Sequence, residues 1–119
     1  MNSLPEMVTE AKRLSGKIDE GVKALTSSAR KAAECERDYR LAKAQAWHVH
    51  VDGTAKEREA QVDAATADLR YARDLADAGR QAALEALRSR RGQASLLQSL
   101  LSAQRTDMEF AKYGPEVGA

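Results

Sequence analysis

Apolar side chains recur at every seventh position through the first half of the chain. One row reads Leu4, Ala11, Ile18, Leu25, Ala32, Tyr39 and Ala46; a second, three residues on, reads Met7, Leu14, Gly21, Ser28, Cys35, Ala42 and Val49. Every member but the small Ser28 is apolar or glycine. Two such rows lie side by side on an α-helix and form the seam of a coiled coil. The second half repeats the device with Val62, Leu69, Ala76, Ala83, Arg90, Leu97 and Gln104, beside Ala65, Ala72, Gly79, Ala86, Gln93 and Leu100. From Leu87 onward the stripe reads one position later, at Leu87, Ala94, Leu101 and Met108. Such drift is expected where a straight helix slips against a 3.5-residue repeat.

Breakers bound the two stripes. Ser3-Leu4-Pro5-Glu6 has the S-x-x-E form of a capping box, in which the hydroxyl accepts from a backbone N–H three residues on. Pro5 falls in the first turn, where its missing N–H costs nothing. Asp52-Gly53 is the next break, followed at once by Thr54-Ala55-Lys56-Glu57, a second capping box. Tyr113-Gly114-Pro115 supplies a final stop. The pattern predicts helix 1 from about Leu4 to Val51, a turn at 52–54, helix 2 from about 55 to 112, and a disordered tail over 113–119. The whole chain, 1–119, is expected to form a single helical domain. So short a turn makes the helices antiparallel. Folding about Gly53 sets Gly21 and Ile18 opposite Leu87, and Leu4 near Leu101. The alternative is a three-helix arrangement with a break at Gly92 and a third helix over 94–111. No capping pair follows Gly92, which favours one continuous helix.

Composition agrees with this all-α reading. The 119 residues include 23 alanines and 12 leucines but only seven glycines and two prolines, and aromatics make up 4%. Too few turn signals and β-branched residues are present for a sandwich or barrel. A two-helix hairpin buries one stripe per helix, a thin core for such long elements. Leu75, Leu84 and Leu96 lie off the seam of helix 2, and Leu41 and Trp47 off that of helix 1. Dimerisation into a four-helix bundle covers such residues economically. The expected dimer interface is Leu75, Leu84, Leu97 and Leu100.

Candidate chemistry is sparse. Of the sequence Trp47-His48-Val49-His50, His48 and Asp52 have the spacing of helical metal ligands, but no good third ligand is near, so solvated histidines at a helix end are expected. Cys35 falls on the seam and reads as a small buried hydrophobe. The chain has no P-loop, G-x-G-x-x-G, H-E-x-x-H or C-x-x-C motif. An enzyme is not expected, nor a metal or other cofactor. The single cysteine fits a reducing compartment. The N-terminus lacks the basic and apolar regions of a signal peptide, and no run of 18 apolar residues spans a membrane. A cytoplasmic protein is therefore expected, in the host cell if the gene is a phage's.

The net charge of +1 hides a local imbalance. Residues 80–105 carry Arg80, Arg88, Arg90, Arg91 and Arg105 against Glu85 alone, next to the wide apolar arc Leu96-Leu97-Gln98-Ser99-Leu100-Leu101. Arginine forks hold carboxylates or phosphates, and leucines supply the desolvated centre of an interface. The expected partner-binding residues are Arg80, Arg88, Arg91, Leu96 and Leu100. The competing reading of the arginines is a solvated face. Nucleic acid is a less favoured partner than protein, because no aromatic residues are interleaved for base stacking.

The stretch Gly53-Thr54-Ala55-Lys56-Glu57-Arg58-Glu59-Ala60, followed by Leu84-Glu85-Ala86-Leu87-Arg88-Ser89-Arg90-Arg91 and Leu96-Leu97-Gln98-Ser99-Leu100-Leu101, resembles small helical-hairpin proteins of tailed phages and prophages, over roughly residues 30–105. Their genes often lie among early functions such as DNA replication and recombination. The resemblance implies an accessory protein that acts by binding, with no catalytic residues to carry over. A nucleic-acid-binding protein using segment 80–105, and a structural or scaffold component of a virion, are the alternatives.

Overall fold

A computed structural model describes the backbone of residues 3–117 and the side chains of residues 3–112. Two α-helices make up the fold, α1 (Leu4–Val49) and α2 (Ala55–Val117), and no strand occurs among the described residues. The chain is an all-α helical hairpin. Both N-termini form as the capping residues dictate. Glu6 N donates to Ser3 Oγ at 3.2 Å, and Glu57 N to Thr54 Oγ1 at 3.2 Å. In the second box the reciprocal arm is also present, Thr54 N to Glu57 Oε2 at 3.4 Å. Gly53 takes φ +94°, the left-handed region that glycine enters without a Cβ clash.

Two boundaries differ from expectation, the ends of α1 and of α2. α1 ends at Val49, two residues early, and residues 50–54 make the turn. The cause is Arg58, whose Nε donates to the carbonyl of His50 at 2.8 Å and whose Nη2 donates to that of Trp47 at 3.1 Å. The guanidinium thus takes over carbonyls that a further helical turn would have used. At Gly92 α2 is unbroken, so the three-helix arrangement does not form. A lone glycine costs a helix only about 1 kcal/mol. At the far end the backbone stays helical past Gly114 and Pro115 to Val117, where a disordered tail was expected. Proline removes one intrahelical bond, and a single loss within a turn of the end does not stop the helix. Residues 118–119 of that expected tail lie outside the described residues.

Two compact units share the helices. The terminal unit comprises Met1–Val22 and Glu85–Ala119; the turn unit comprises Lys23–Leu84. In the terminal unit, Met7, Leu14 and Leu97 form a buried cluster, with Ala11, Ala94 and Leu101 packed on it. Leu87 is 2% exposed and meets Gly21, where an added Cβ would lie 3.1 Å from Leu87 Cδ1. The glycine gap receives the leucine, as the antiparallel pairing predicts. In the turn unit the buried set is Tyr39, Ala46, Val62, Thr66 and Ala76. The Thr66 hydroxyl donates to the carbonyl of Val62 at 2.8 Å, which satisfies the one buried polar side chain among the described residues.

The inward face of α1 follows the two predicted rows, except that Val49 is 72% exposed at the helix end. On α2 the first row holds, apart from Leu69 at 39% exposure, but the expected partner row does not. Ala65, Gly79, Ala86, Gln93 and Leu100 are exposed. The second inward row is instead Thr66, Arg73, Arg80, Leu87, Ala94 and Leu101, each buried or half-buried. Leu87 therefore does not begin a drift. It continues a row whose earlier members are polar or long, and which apolar periodicity alone passes over.

Candidate protein-interaction surface

The segment 80–105 combines side chains with different local roles. Arg80 belongs to the turn unit, lies on the inward row, and is held half-buried by Asp77 at 2.9 Å. Arg88 is exposed and pairs with Glu85 one turn back at 2.9 Å. Such exposed pairs contribute little to stability, about 0–1 kcal/mol. Arg90 turns inward and donates from Nη1 to the carbonyl of Lys17 at 3.3 Å. Arg91 is exposed. Each of Arg80 and Arg88 thus has an acid one helical turn back, Asp77 just outside the segment and Glu85 within it.

The leucines divide too. Leu96 and Leu100 are 64% and 45% exposed, whereas Leu97 is 4% exposed in the core cluster. Leu97 thus lies inside the pair of helices and is not on the outward face expected of a dimer-interface residue. A heptad row buries it against Met7 and Leu14. Of the other expected interface residues, Leu75 is 59% exposed and Leu84 half-buried, both in the turn unit. Arg91 and Leu100 are nine residues apart, about two and a half turns, so they flank the buried rows of α2 from opposite sides. The structure therefore does not gather the arginines and leucines into one patch.

Beside Leu96 and Leu100 runs an open apolar groove, walled by Gln93 and Leu97 of the same helix and by Glu10 and Leu14 of α1. Glu10 accepts from Arg13 Nε at 2.9 Å. That hydrogen bond holds the Glu10 carboxyl below the ordinary glutamate range, and it raises the Arg13 guanidinium in turn. The groove's rim is thus charged but internally neutralised, while its floor is aliphatic.

A second, more polar groove lies in the turn unit, where Ala29, Ala32 and Ala33 face Glu36, Arg73, Asp74, Asp77 and Arg80. Arg73 is its organising residue. It contacts Asp74 at 2.8 Å and Glu36 at 3.6 Å, and lies over the Tyr39 ring at 4.4 Å. The hydrogen bond to Asp74 is the largest cause of the raised pKa of Arg73. Arg58 lies likewise over Trp47, at 5.0 Å. Sequence reasoning passed over both roles, although Arg73 stands seven residues before Arg80 and fourteen before Leu87, on the same inward row.

His48 is exposed and His50 half-buried, and no group of three or more metal-ligating side chains is assembled among the described residues. Cys35 is a half-buried free thiol. No described helix is long and apolar enough to cross a membrane. No protein-family model, curated protein or solved structure matches the chain, so its function must be argued from the geometry alone.

Proposed function

We propose that the chain is a non-enzymatic protein-interaction module that self-associates as a homodimer, in keeping with an accessory protein of a phage acting in DNA recombination or replication in the host cytoplasm. The observation that carries this reading is the exposure of Leu96 and Leu100 on the rim of an aliphatic groove, in a unit whose core already contains Met7, Leu14 and Leu97. Leucines left outside a completed core mark a surface that another protein covers. Arg91, exposed on the other flank, is the arginine available to a further acidic partner.

Light scattering tests the first part. The expected mass is twice the 13.0 kDa of the chain, and a single-chain mass at every concentration overturns self-association. A salt titration with duplex DNA tests the rival nucleic-acid role of the arginines. Phosphate contacts weaken binding with a log–log slope of about −0.9 per contact. The intrahelical partners of Arg80 and Arg88 favour the opposite result, no salt-sensitive binding at all.

A further inference from the structure

α2 carries a second heptad stripe outside the hairpin. In the terminal unit its members are Ala86, Ser89, Gln93, Leu96, Leu100 and Ala103, spaced in alternating steps of three and four. All six are exposed, and none is charged. The same spacing of uncharged residues continues backward in the sequence through Ala82, Gly79, Leu75 and Ala72. The other flank of α2 in this unit carries Arg88, Arg91 and Arg105. A stripe with this spacing is the surface that receives another helix by knobs-into-holes packing.

We propose that a second copy of the chain covers this stripe with its own, the two α2 segments lying antiparallel about a two-fold axis between Gln93 and Leu96. The inference rests on the self-association proposed above and names the face that performs it. Three features select a second copy as the occupant. First, antiparallel pairing about that axis sets Leu96 against the partner subunit's Gln93, Leu100 against the partner subunit's Ser89, and Ala103 against the partner subunit's Ala86. Each leucine then meets a small or slender side chain, which is the self-complementarity an isologous contact requires. Second, an uncharged stripe offers a strongly acidic or basic partner no compensation for desolvation. Third, neighbouring α1 charges are present in both signs and already paired, Glu10 with Arg13 at 2.9 Å and Lys17 with Glu20 at 3.4 Å. Identical copies therefore approach without like-charge repulsion.

Two measurements test the proposal. Leu96→Glu and Leu100→Glu, made singly, are expected to raise the dimer dissociation constant about a hundredfold or more, because each buries a carboxylate without a partner. Both positions are exposed in the hairpin, so circular dichroism is expected to keep its helical signal. For the geometry, nitroxide labels go on Ser99→Cys or Thr106→Cys in a Cys35→Ser background. At 1.5 Å per residue, the axis places the two labelled positions about 14 Å apart along the helix for residue 99 and about 35 Å apart for residue 106. A short distance at 99 with a long one at 106 confirms the arrangement. Equal distances at the two sites overturn the antiparallel placement. A dimer that survives both glutamate variants overturns this face while leaving self-association standing. A wild-type single-chain mass removes both.

Discussion

The two units of the hairpin solve the same packing problem with different chemistry. The terminal unit packs aliphatic side chains, with Met7, Leu14 and Leu97 at the centre and Leu87 fitted to Gly21. The turn unit has few large aliphatic residues to bury. Its inward positions hold Ala46, Ala76, Val62 and Thr66, and two of its three large rings, Tyr39 and Trp47, are covered by the guanidinium groups of Arg73 and Arg58. Arginine serves there as packing material, its stem along the seam and its flat head on a ring. An arginine count therefore says little about ligand binding until each guanidinium has been placed. Arg58, Arg73 and Arg90 work inside the fold, whereas Arg88 and Arg91 face outward.

Substitutions can break this contrast. The largest effect is expected from Leu97→Ala, which opens a cavity in the aliphatic cluster and costs about 2–5 kcal/mol. Thermal melts followed by circular dichroism give the value, and a loss no larger than at an exposed leucine would show that the cluster does not hold the terminal unit. Arg58→Ala should follow at about 1–3 kcal/mol, since it strips two carbonyls of a charged donor and uncovers Trp47. Arg58→Lys keeps the charge but not the fork, so it is expected to recover only part of that loss. Hydrogen exchange at the amides near the turn reports whether the effect is local, as this placement requires.

Glycine substitutions sharpen the comparison at smaller cost. At Gly92 an added Cβ meets nothing within 4 Å, so Gly92→Ala should stabilise the helix by about 1 kcal/mol. At Gly21 the same change presses on Leu87 at 3.1 Å, and the gain should vanish or reverse. Equal gains in melting temperature at the two sites would mean that Leu87 is not seated in the gap.

The smallest effect is a pH dependence at the groove rim. Arg13 lowers the carboxyl pKa of Glu10 from its ordinary 4.5. A carboxyl lowered on folding adds stability that is complete above the unfolded value and is lost as pH falls through the lower folded one. Glu10→Gln should therefore lower stability slightly at neutral pH, with the two proteins converging as pH falls below 4.5. A difference that persists undiminished in acid would contradict the pairing.

Much of this fold is legible in the sequence because its signals are local. Ser3, Gly53, Thr54 and Glu57 act within a few residues, and the rows of α1 need only a count of seven. The second row of α2 is less visible, because Thr66, Arg73 and Arg80 stand where an apolar pattern is sought. The role of the two arginines depends on a ring or carboxylate brought in from the other helix or the adjacent turn, and Thr66 enters the row by giving its hydroxyl to the Val62 carbonyl. Arg58 shows the same limit: a side chain that ends one helix from within the next gives no sign in α1 itself. The candidate surface was half visible. Leu96 and Leu100 were identified by excess, but Leu97 looks identical in composition and differs only in the direction it faces.

The central claim is that Leu96 and Leu100 are covered in solution although the hairpin alone leaves them exposed. Hydroxyl-radical footprinting reads this directly, with the Leu100→Glu variant as the uncovered reference. The account predicts slow oxidation of Leu96 in the wild type and markedly faster oxidation in the variant, while Leu41 and Tyr71 of the turn unit react alike in both. Leu96 oxidised equally fast in the wild type and the variant would contradict it.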